Sequence, residues 1–296
     1  MLLIDIMGEQ QYLDLIQRIL DEGARTDSRN GVTFSIFGHK MEFSLADNTI
    51  PLLTTKKVAW RTCFRELMWF LRGSTSNKEL QDANVKIWND NASREFLDSR
   101  NLQHLEENDL GPIYGHQWRH FNAPYKDCHT DYSGQGIDQI KYIIDALKDP
   151  EQHSSRRLVM SAWNPCQINE MALPPCHVLV QFYVRDHKYL SCSLYQRSGD
   201  VGLGVPFNIA SYSFLTHLLA KHCDLVADKF VHFIGDAHIY ESHMDVLREQ
   251  VQRTPLEFPK ISFVEKKENI EDYHENDIMW ISPYKNLGVI QMDMIA

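Results

Sequence analysis

The chain has 296 residues, 43% apolar and 24% charged, the make-up of a packed globular protein of one large or two average domains. Thirty basic against forty acidic side chains leave a net charge of -10, which excludes broad nonspecific binding to nucleic acid or an acidic membrane, so any anionic ligand must be met by a local arginine cluster. Six cysteines without C-x-x-C spacing, no signal-like start and no apolar run near ~18 residues lead us to expect a soluble chain with reduced thiols, in the cytosol or nucleus.

Residues 10–20 set Tyr12, Leu13, Ile16, Ile19 and Leu20 at helical spacing before Gly23, which predicts an amphipathic helix. Two β-like runs over 32–45, parted by Gly38, predict a hairpin. A very apolar helix over 60–72, with Cys63, Phe64, Leu67, Met68 and Leu71 on one side, ends at Gly73. Residues 74–133 are polar and loop-rich, with short helices at Asn-Lys-Glu-Leu-Gln and Arg-Glu-Phe-Leu-Asp and a tight Gly-Pro-Ile-Tyr-Gly at 111–115. Loops this long inside a compact domain usually carry function. A helix over 137–147 is expected to turn Ile137, Ile140, Ile143, Ile144 and Leu147 inward. Strand-like runs at 157–163, 177–185 and 189–196 follow, the last two joined by Asp186-His187-Lys188. A helix over 207–222, a strand over 230–234, a helix over 240–252 and a β-like run near 289–292 complete the chain. With no repeat or linker, it reads as a single α/β (α+β) domain over 1–296, built on one central sheet covered by helices.

Cys176 stands between two prolines and a histidine where a strand begins. A cysteine is more often a small buried hydrophobe than a nucleophile, but the prolines fix the direction of the chain, and a thiolate needs a cationic neighbour. His177 is a poor direct base, since strand neighbours point to opposite faces, so an arginine from elsewhere is the better partner. Arg25, Arg156, Arg157 and Arg197 each read alone as solvated charges, but the last three flank strands where a guanidinium fork suits a phosphate. The loop from Arg197 to Asn208 is glycine-rich in the order G-x-x-G-x-G, without Walker residues, so a dinucleotide fold is not expected. Ser198, Asp200 and Asn208 could instead read a flat heterocycle by hydrogen bonds.

His238 and Tyr240 lie one residue apart and share a face if extended. Glu66 sits in the apolar run Leu-Met-Trp-Phe-Leu, where a carboxylate is costly to bury, and is a candidate acid or base. Metal is not expected. His116 and His120 are four apart, but Pro112 and the glycines argue against a helix there; His217 and His222 have the wrong spacing for one helix face. Asp236 and His238 have no further ligand at a recognisable distance.

Together the stretches Arg25-Thr26, Pro51-Leu-Leu-Thr-Thr-Lys56, Glu66-Leu-Met-Trp-Phe70, Ile87-Trp88, Asp109-Leu-Gly-Pro-Ile-Tyr114-Gly-His-Gln-Trp-Arg119, Arg156-Arg157, Leu173-Pro-Pro-Cys-His177, Tyr195-Gln-Arg-Ser-Gly-Asp200, Gly202-Leu-Gly-Val-Pro-Phe-Asn208 and Gly235-Asp-Ala-His-Ile-Tyr240 resemble the thymidylate synthase family. No single motif decides this, but so many in one order are specific. The resemblance runs from about residue 10 to the end of the chain and leads to the expectation of a monofunctional enzyme without a fused reductase.

The resemblance implies a mixed sheet whose outer face joins a homodimer, and a methyltransferase converting dUMP and 5,10-methylenetetrahydrofolate into dTMP and dihydrofolate without a metal. Cys176 would add to carbon 6 of the uracil, with Asn208, His177 and a water network held by Glu66 drawing electrons toward the ring carbonyl. Tyr114 would help remove the carbon 5 proton. Arg25, Arg197, and Arg156 and Arg157 from the opposite subunit, would hold the phosphate. His238 and Tyr240 would meet the ribose, and Gln196, Ser198 and Asp200 would lie in the nucleotide site. Ile87, Trp88, Asn91, Asp200, Gly204, Phe207, Ile295 and Ala296 would line the folate, with Lys56 at its glutamyl end. A cytoplasmic place, with the nucleus as second choice, fits this role; no DNA or membrane partner is expected, and an mRNA contact stays open.

Lys57 stands where the family usually has arginine and keeps its charge, Asn89 stands where aspartate is common, and the chain ends Met294-Ile295-Ala296 where a larger apolar last residue is frequent; from this last departure, closure of the tail is expected to survive but to be weaker. Three rivals are a nucleotide hydroxymethylase, a thiol hydrolase and a noncatalytic nucleotide- or RNA-binding protein. Asn208 fits uracil where a cytosine reader would be expected to carry aspartate, Trp88 should keep water from the reacting carbon, and the hydrolase lacks a convincing histidine partner.

Overall fold

In the computed structural model, which describes residues 8–28 and 31–295, α1 (Gln10–Glu22) leads into β1 (Ala24–Ser28) and β2 (Gly31–Ser44). Then come α2 (Trp60–Leu71), α3 (Asn77–Asp82), α4 (Arg94–Ser99), α5 (Tyr114–His120), α6 (Gln139–Lys148) and β3 (Val159–Ser161). The centre is β4 (His177–Arg185), β5 (Tyr189–Asp200), α7 (Gly204–His222) and β6 (Val226–Tyr240), followed by α8 (Met244–Gln250), β7 (Lys260–Phe263) and β8 (Ile278–Ser282). Six strands form a sheet in the order β1-β2-β6-β5-β4-β3. Its neighbours are antiparallel except for β5 and β6, so the sheet is mixed, as expected. Among the described residues no helix is long and apolar enough to cross a membrane.

The parallel pair follows from α7. This helix is apolar on all sides and buried along nearly its whole length, so it must be covered on every side. It lies between the sheet and α2, and Phe214, Leu215, Leu218 and Leu219 are fully enclosed, each contributing roughly 1.5–3 kcal/mol of apolar burial. Crossing back over the sheet, α7 brings the ends of β5 and β6 together, with Ser198 beside Asp236 and Asp200 beside His238. Because β4 is antiparallel to β5, its first residue His177 faces Gln196 at that same end. Strand ends, the start of α7 and the loop carrying Cys176 therefore converge.

Several expectations need correction. Residues 32–45 form one long strand, not a hairpin: β2 keeps a constant register against β6 on both sides of Gly38, and the hairpin is β1 with β2. Gly38 has φ +82°, a conformation glycine takes freely, and the strand continues past it without turning back. The helix after Pro112 does form, placing His116 and His120 on α5. Proline two residues before a helix gives up no hydrogen bond that the helix needs. Ile137 lies before α6 and is exposed, bridged by its backbone to Phe121. α7 starts at Gly204, earlier than expected, and β6 runs well beyond 230–234. The tail near 289–292 is irregular, and a second, two-stranded sheet of β7 and β8 stands apart from the large one.

The face of the large sheet turned away from α7 is apolar and open. Leu179 stands beside Tyr195, Tyr195 beside Phe233, and Tyr183 lies four residues along β4 on the same face; all four are exposed. Apolar clusters on neighbouring strands are normally covered.

Candidate active site

Cys176 is fixed by backbone contacts on both sides. Its N–H donates to Tyr114 Oη at 2.7 Å, and its carbonyl accepts from Arg197 N–H at 2.9 Å. The Arg197 side chain reaches back over the loop before it, donating from Nε to the Pro175 carbonyl at 2.9 Å and from Nη2 to the Pro174 carbonyl at 2.8 Å. These prolines have no N–H of their own, so their loop is held through its carbonyls. Gly235 makes room on the neighbouring strand, since a Cβ there would lie 2.7 Å from the Arg197 carbonyl. Burial raises the Cys176 pKa and the Arg197 guanidinium opposes it, which is the cationic partner expected for this thiol.

His177 departs from simple alternation. The β4 register shifts between His177 and Leu179, and such a bulge re-aims a side chain. Its ring lies 5.1 Å from Tyr114 and 5.3 Å from Tyr212, on the α7 side of the sheet, although Leu179 points to the open face. Burial lowers its pKa to about 4, with a contact to Asn208 opposing in part, so His177 is neutral near pH 7. Its Nδ1 and the Tyr212 hydroxyl are buried without a hydrogen-bond partner among the described residues.

Glu66, on α2, is 9% exposed. Its Oε1 accepts from Trp88 Nε1 at 2.7 Å, and burial pushes the carboxyl up to about 7. Trp88 packs against Tyr114 with ring centres 6.1 Å apart, linking this carboxyl to the hydroxyl that holds Cys176. The Tyr114 pKa is also raised, chiefly by burial, so it stays a neutral phenol.

A second cluster lies at the end of β5. Asp200 Oδ1 accepts from Gly202 N–H at 2.8 Å, and Lys56 is buried with its ammonium on the Gly202 carbonyl. Burial lowers Lys56 to about 8, although Asp200 favours its charge. Gly204 leaves the space between Asp200 and Asn208 without a side chain; a Cβ there would lie 3.8 Å from Asp200 Cβ and 3.9 Å from Asn208 Oδ1. The tail docks here, with His243 Nε2 2.8 Å from the Asp293 carbonyl and Met292 beside Gly202. Phe207, Ile87, Asn91 and Ile295 are half-buried, and Ala296 lies outside the described residues.

His238 and Tyr240 share one side of β6 with rings 5.4 Å apart, and His238 Nδ1 is 2.9 Å from Asp236 Oδ1. Ser198 is half-buried beside them, whereas Gln196 turns into the sheet, with its Oε1 2.8 Å from His232 Nε2. The structure does not bring every arginine together. Arg25 is exposed and paired with Asp27 at 3.1 Å. Arg156 and Arg157 are exposed beside the open sheet face, where Gln181 Nε2 donates to the Arg156 carbonyl at 3.5 Å. Among the described residues no hydrogen bond or ion pair joins either to Cys176 or Arg197. Asn89 accepts from Asn77 and Gln81 at 3.1 and 3.2 Å, a task an aspartate oxygen would also serve.

Sequence reasoning gave no role at the site to four supporting groups. Glu9 is buried and accepts from the N–H and hydroxyl groups of both Thr54 and Thr55, just before Lys56. Tyr12 donates to the Val201 carbonyl at 2.8 Å, Trp163 lies under Arg197 at 5.7 Å, and Tyr212 faces His177. Their partners are distant in sequence, so no local pattern marks them.

The family model described as thymidylate synthase matches residues 10–296. The chain is 52% identical to thymidylate synthase of Homo sapiens, over 97% of this chain and 90% of that protein. It is 53% identical to a bifunctional dihydrofolate reductase-thymidylate synthase of Paramecium tetraurelia and 52% identical to one of Leishmania major. It covers only 61% and 55% of those two longer proteins.

Proposed function

The chain belongs to the thymidylate synthase family, and from that membership we propose that it converts dUMP and 5,10-methylenetetrahydrofolate into dTMP and dihydrofolate. The observation that carries the reading is the Tyr114 hydroxyl, which holds the backbone of Cys176 on one side and adjoins the Glu66–Trp88 pair on the other.

In this reading the Cys176 thiolate forms a bond to carbon 6 of the uracil, and the ring's double-bond electrons move toward carbon 5 and the neighbouring carbonyl oxygen. Arg197 favours the thiolate and holds the two prolines that aim it. Asn208 has both a donor and an acceptor for the uracil edge, and neutral His177 beside it contributes a dipole without competing as a base for the thiol proton. Glu66 exchanges a proton near neutrality, and His177 Nδ1 and Tyr212 Oη are the groups that an ordered-water network would satisfy. Tyr114, as a neutral phenol, is placed to assist departure of the carbon 5 proton, after which the thiolate leaves. The folate supplies the one-carbon unit and the hydride when bound. In this reading the open space at Gly204 and the Asp200 carboxylate take the flat heterocycle of the folate, and family membership, not a contact seen here, adds Trp88, Phe207, Ile87, Asn91 and the tail to its lining.

We further propose a homodimer through the open sheet face, with Arg156 and Arg157 serving the partner's phosphate site. Their exposure beside that face, away from their own cluster, supports this. Mixing Cys176→Ser chains with chains carrying Arg156→Ala and Arg157→Ala should restore activity that neither has alone; failure to complement would reject the shared site. The six unpaired cysteines favour a reducing compartment, and we place the enzyme in the cytoplasm, with the nucleus as second choice, to be checked with a fluorescent fusion. The activity itself is tested by following dihydrofolate formation from dUMP and methylenetetrahydrofolate. The intact chain should turn over and Cys176→Ser should not; a fully active Cys176→Ser variant excludes the covalent route.

A further inference from the structure

Away from the Cys176 cluster, two loops bring together a thiol, an imidazole and a carboxylate. Among the described residues, Glu106, Cys128 and His129 are the group of three His, Cys, Asp or Glu whose ligand atoms all lie within 4.8 Å of one another. Cys128 Sγ is 4.0 Å from Glu106 Oε1, and His129 Nε2 is 2.5 Å from the same oxygen. An exposed Glu–His contact alone is ordinary and contributes little. The half-buried thiol converging on it from a loop held in place is what sets this group apart.

Buried Asp109 anchors that loop, accepting the Cys128 N–H at 2.9 Å while Tyr125 donates to its other oxygen at 2.6 Å. Asp127 fixes the next turn, accepting from His129 N–H at 3.0 Å and Thr130 Oγ1 at 2.8 Å. The hollow in front is also lined by Glu79, Asp82 and Glu107; its Lys78 is already paired with Asp82. The local field therefore favours a cation.

We propose that Glu106, Cys128 and His129 form a site for a borderline divalent metal ion of the zinc type, which clamps the loop around 128 onto the loop around 106. One sulfur, one nitrogen and one oxygen suit zinc or cobalt, whereas magnesium and calcium prefer all-oxygen shells. Ligand bonds of about 2.0–2.3 Å in a tetrahedral arrangement place donor atoms roughly 3.3–3.7 Å apart. The present separations bracket that range, so binding requires His129 to move off the carboxylate by about 1 Å. The thiol proton passes to solvent as the sulfur–metal bond forms. His129 presents the Nε2 lone pair, with any proton there released or carried on Nδ1, and solvent takes the fourth position.

The test uses full-length chain carrying Cys166→Ser and Cys176→Ser, which removes the two other cysteines that are not buried. Titration with Co²⁺ should give, at one equivalent, a thiolate-to-cobalt charge-transfer band with the visible bands of four-coordinate cobalt, and Zn²⁺ should displace both. Adding Cys128→Ser should abolish the thiolate band, and adding Glu106→Gln should weaken binding at least about tenfold. Zn²⁺ should also raise the thermal midpoint of the parent but not of the Cys128→Ser variant, which reports binding even if cobalt spectra are weak. The absence of both a thiolate band and a Zn²⁺ thermal shift in the parent, or either signal retained after Cys128→Ser, overturns the proposal.

Discussion

Replacing Glu66 by glutamine separates its protonation from its packing. The amide keeps the shape of the carboxyl and an oxygen for the Trp88 N–H but cannot ionise. In the unfolded chain Glu66 gives up its proton near its ordinary 4.5, whereas burial in the folded chain holds it until about 7. Between those values the folded state binds more protons than the unfolded one, so stability from this group is complete below about 4.5, falls as pH rises, and is lost above about 7. At about 1.4 kcal/mol per tenfold change, the loss comes to about 3 kcal/mol. Other titrating groups are common to both proteins and drop out of the difference. The stability of Glu66→Gln relative to the parent should therefore grow by about 2–3 kcal/mol from pH 5 to pH 8, while turnover falls by roughly 10²–10⁴-fold if Glu66 moves protons in the reaction. Urea unfolding followed by tryptophan fluorescence at several pH values, beside the dihydrofolate assay, measures both. A stability gap that stays constant with pH would refute the burial argument, whatever happens to turnover.

Arg197→Lys keeps the charge but loses the fork that spans the Pro174 and Pro175 carbonyls, so kcat should fall about tenfold while the nucleotide KM rises; a change confined to KM would mean that the guanidinium does not aim the thiol. Tyr114→Phe strands the Cys176 N–H and should cost about 1–3 kcal/mol in urea unfolding, and stability equal to the parent would show that this N–H finds another partner. Glu9→Ala leaves the donors of Thr54 and Thr55 unpaired and should cost about 3 kcal/mol or more, with a rise in folate KM through the adjoining Lys56. Parent-like unfolding would remove Glu9 from the support of that segment.

Short-range signals were legible because the physics that sets them is local. The spacing of Tyr12, Ile16 and Ile19 marked α1, the apolar run of α2 made Glu66 conspicuous, and the positive-φ turn at Asp186 and His187 joined β4 to β5 where expected. What failed depends on which strand lies beside which. Gly38 reads as a turn until β6 is known to pair on both sides of it, and β6 runs on through Asp236 to Tyr240, a stretch read as extended for its polar groups but left outside the strand expected over 230–234. The buried contacts of Glu9 span some 45 residues, beyond any periodic signal.

The same distinction governs the site. Local sequence named the thiol, the arginine and the carboxyl but could not decide how they share the work. Alternation along a strand argued against His177 as the base for Cys176, but alternation is not what sets the position of this ring. The β4 bulge carries the ring to the α7 side, beside Tyr114, Tyr212 and Asn208, where burial keeps it neutral. Arg197 was read as an anion ligand, and the fold first uses it to hold the two carbonyls before Cys176. A guanidinium has more donors than those two bonds consume, so holding the loop does not exclude binding an anion. In the proposed reaction a substrate phosphate arriving there would meet an arginine already fixed relative to the sulfur, which would tie nucleotide binding to the position of the thiol through one side chain.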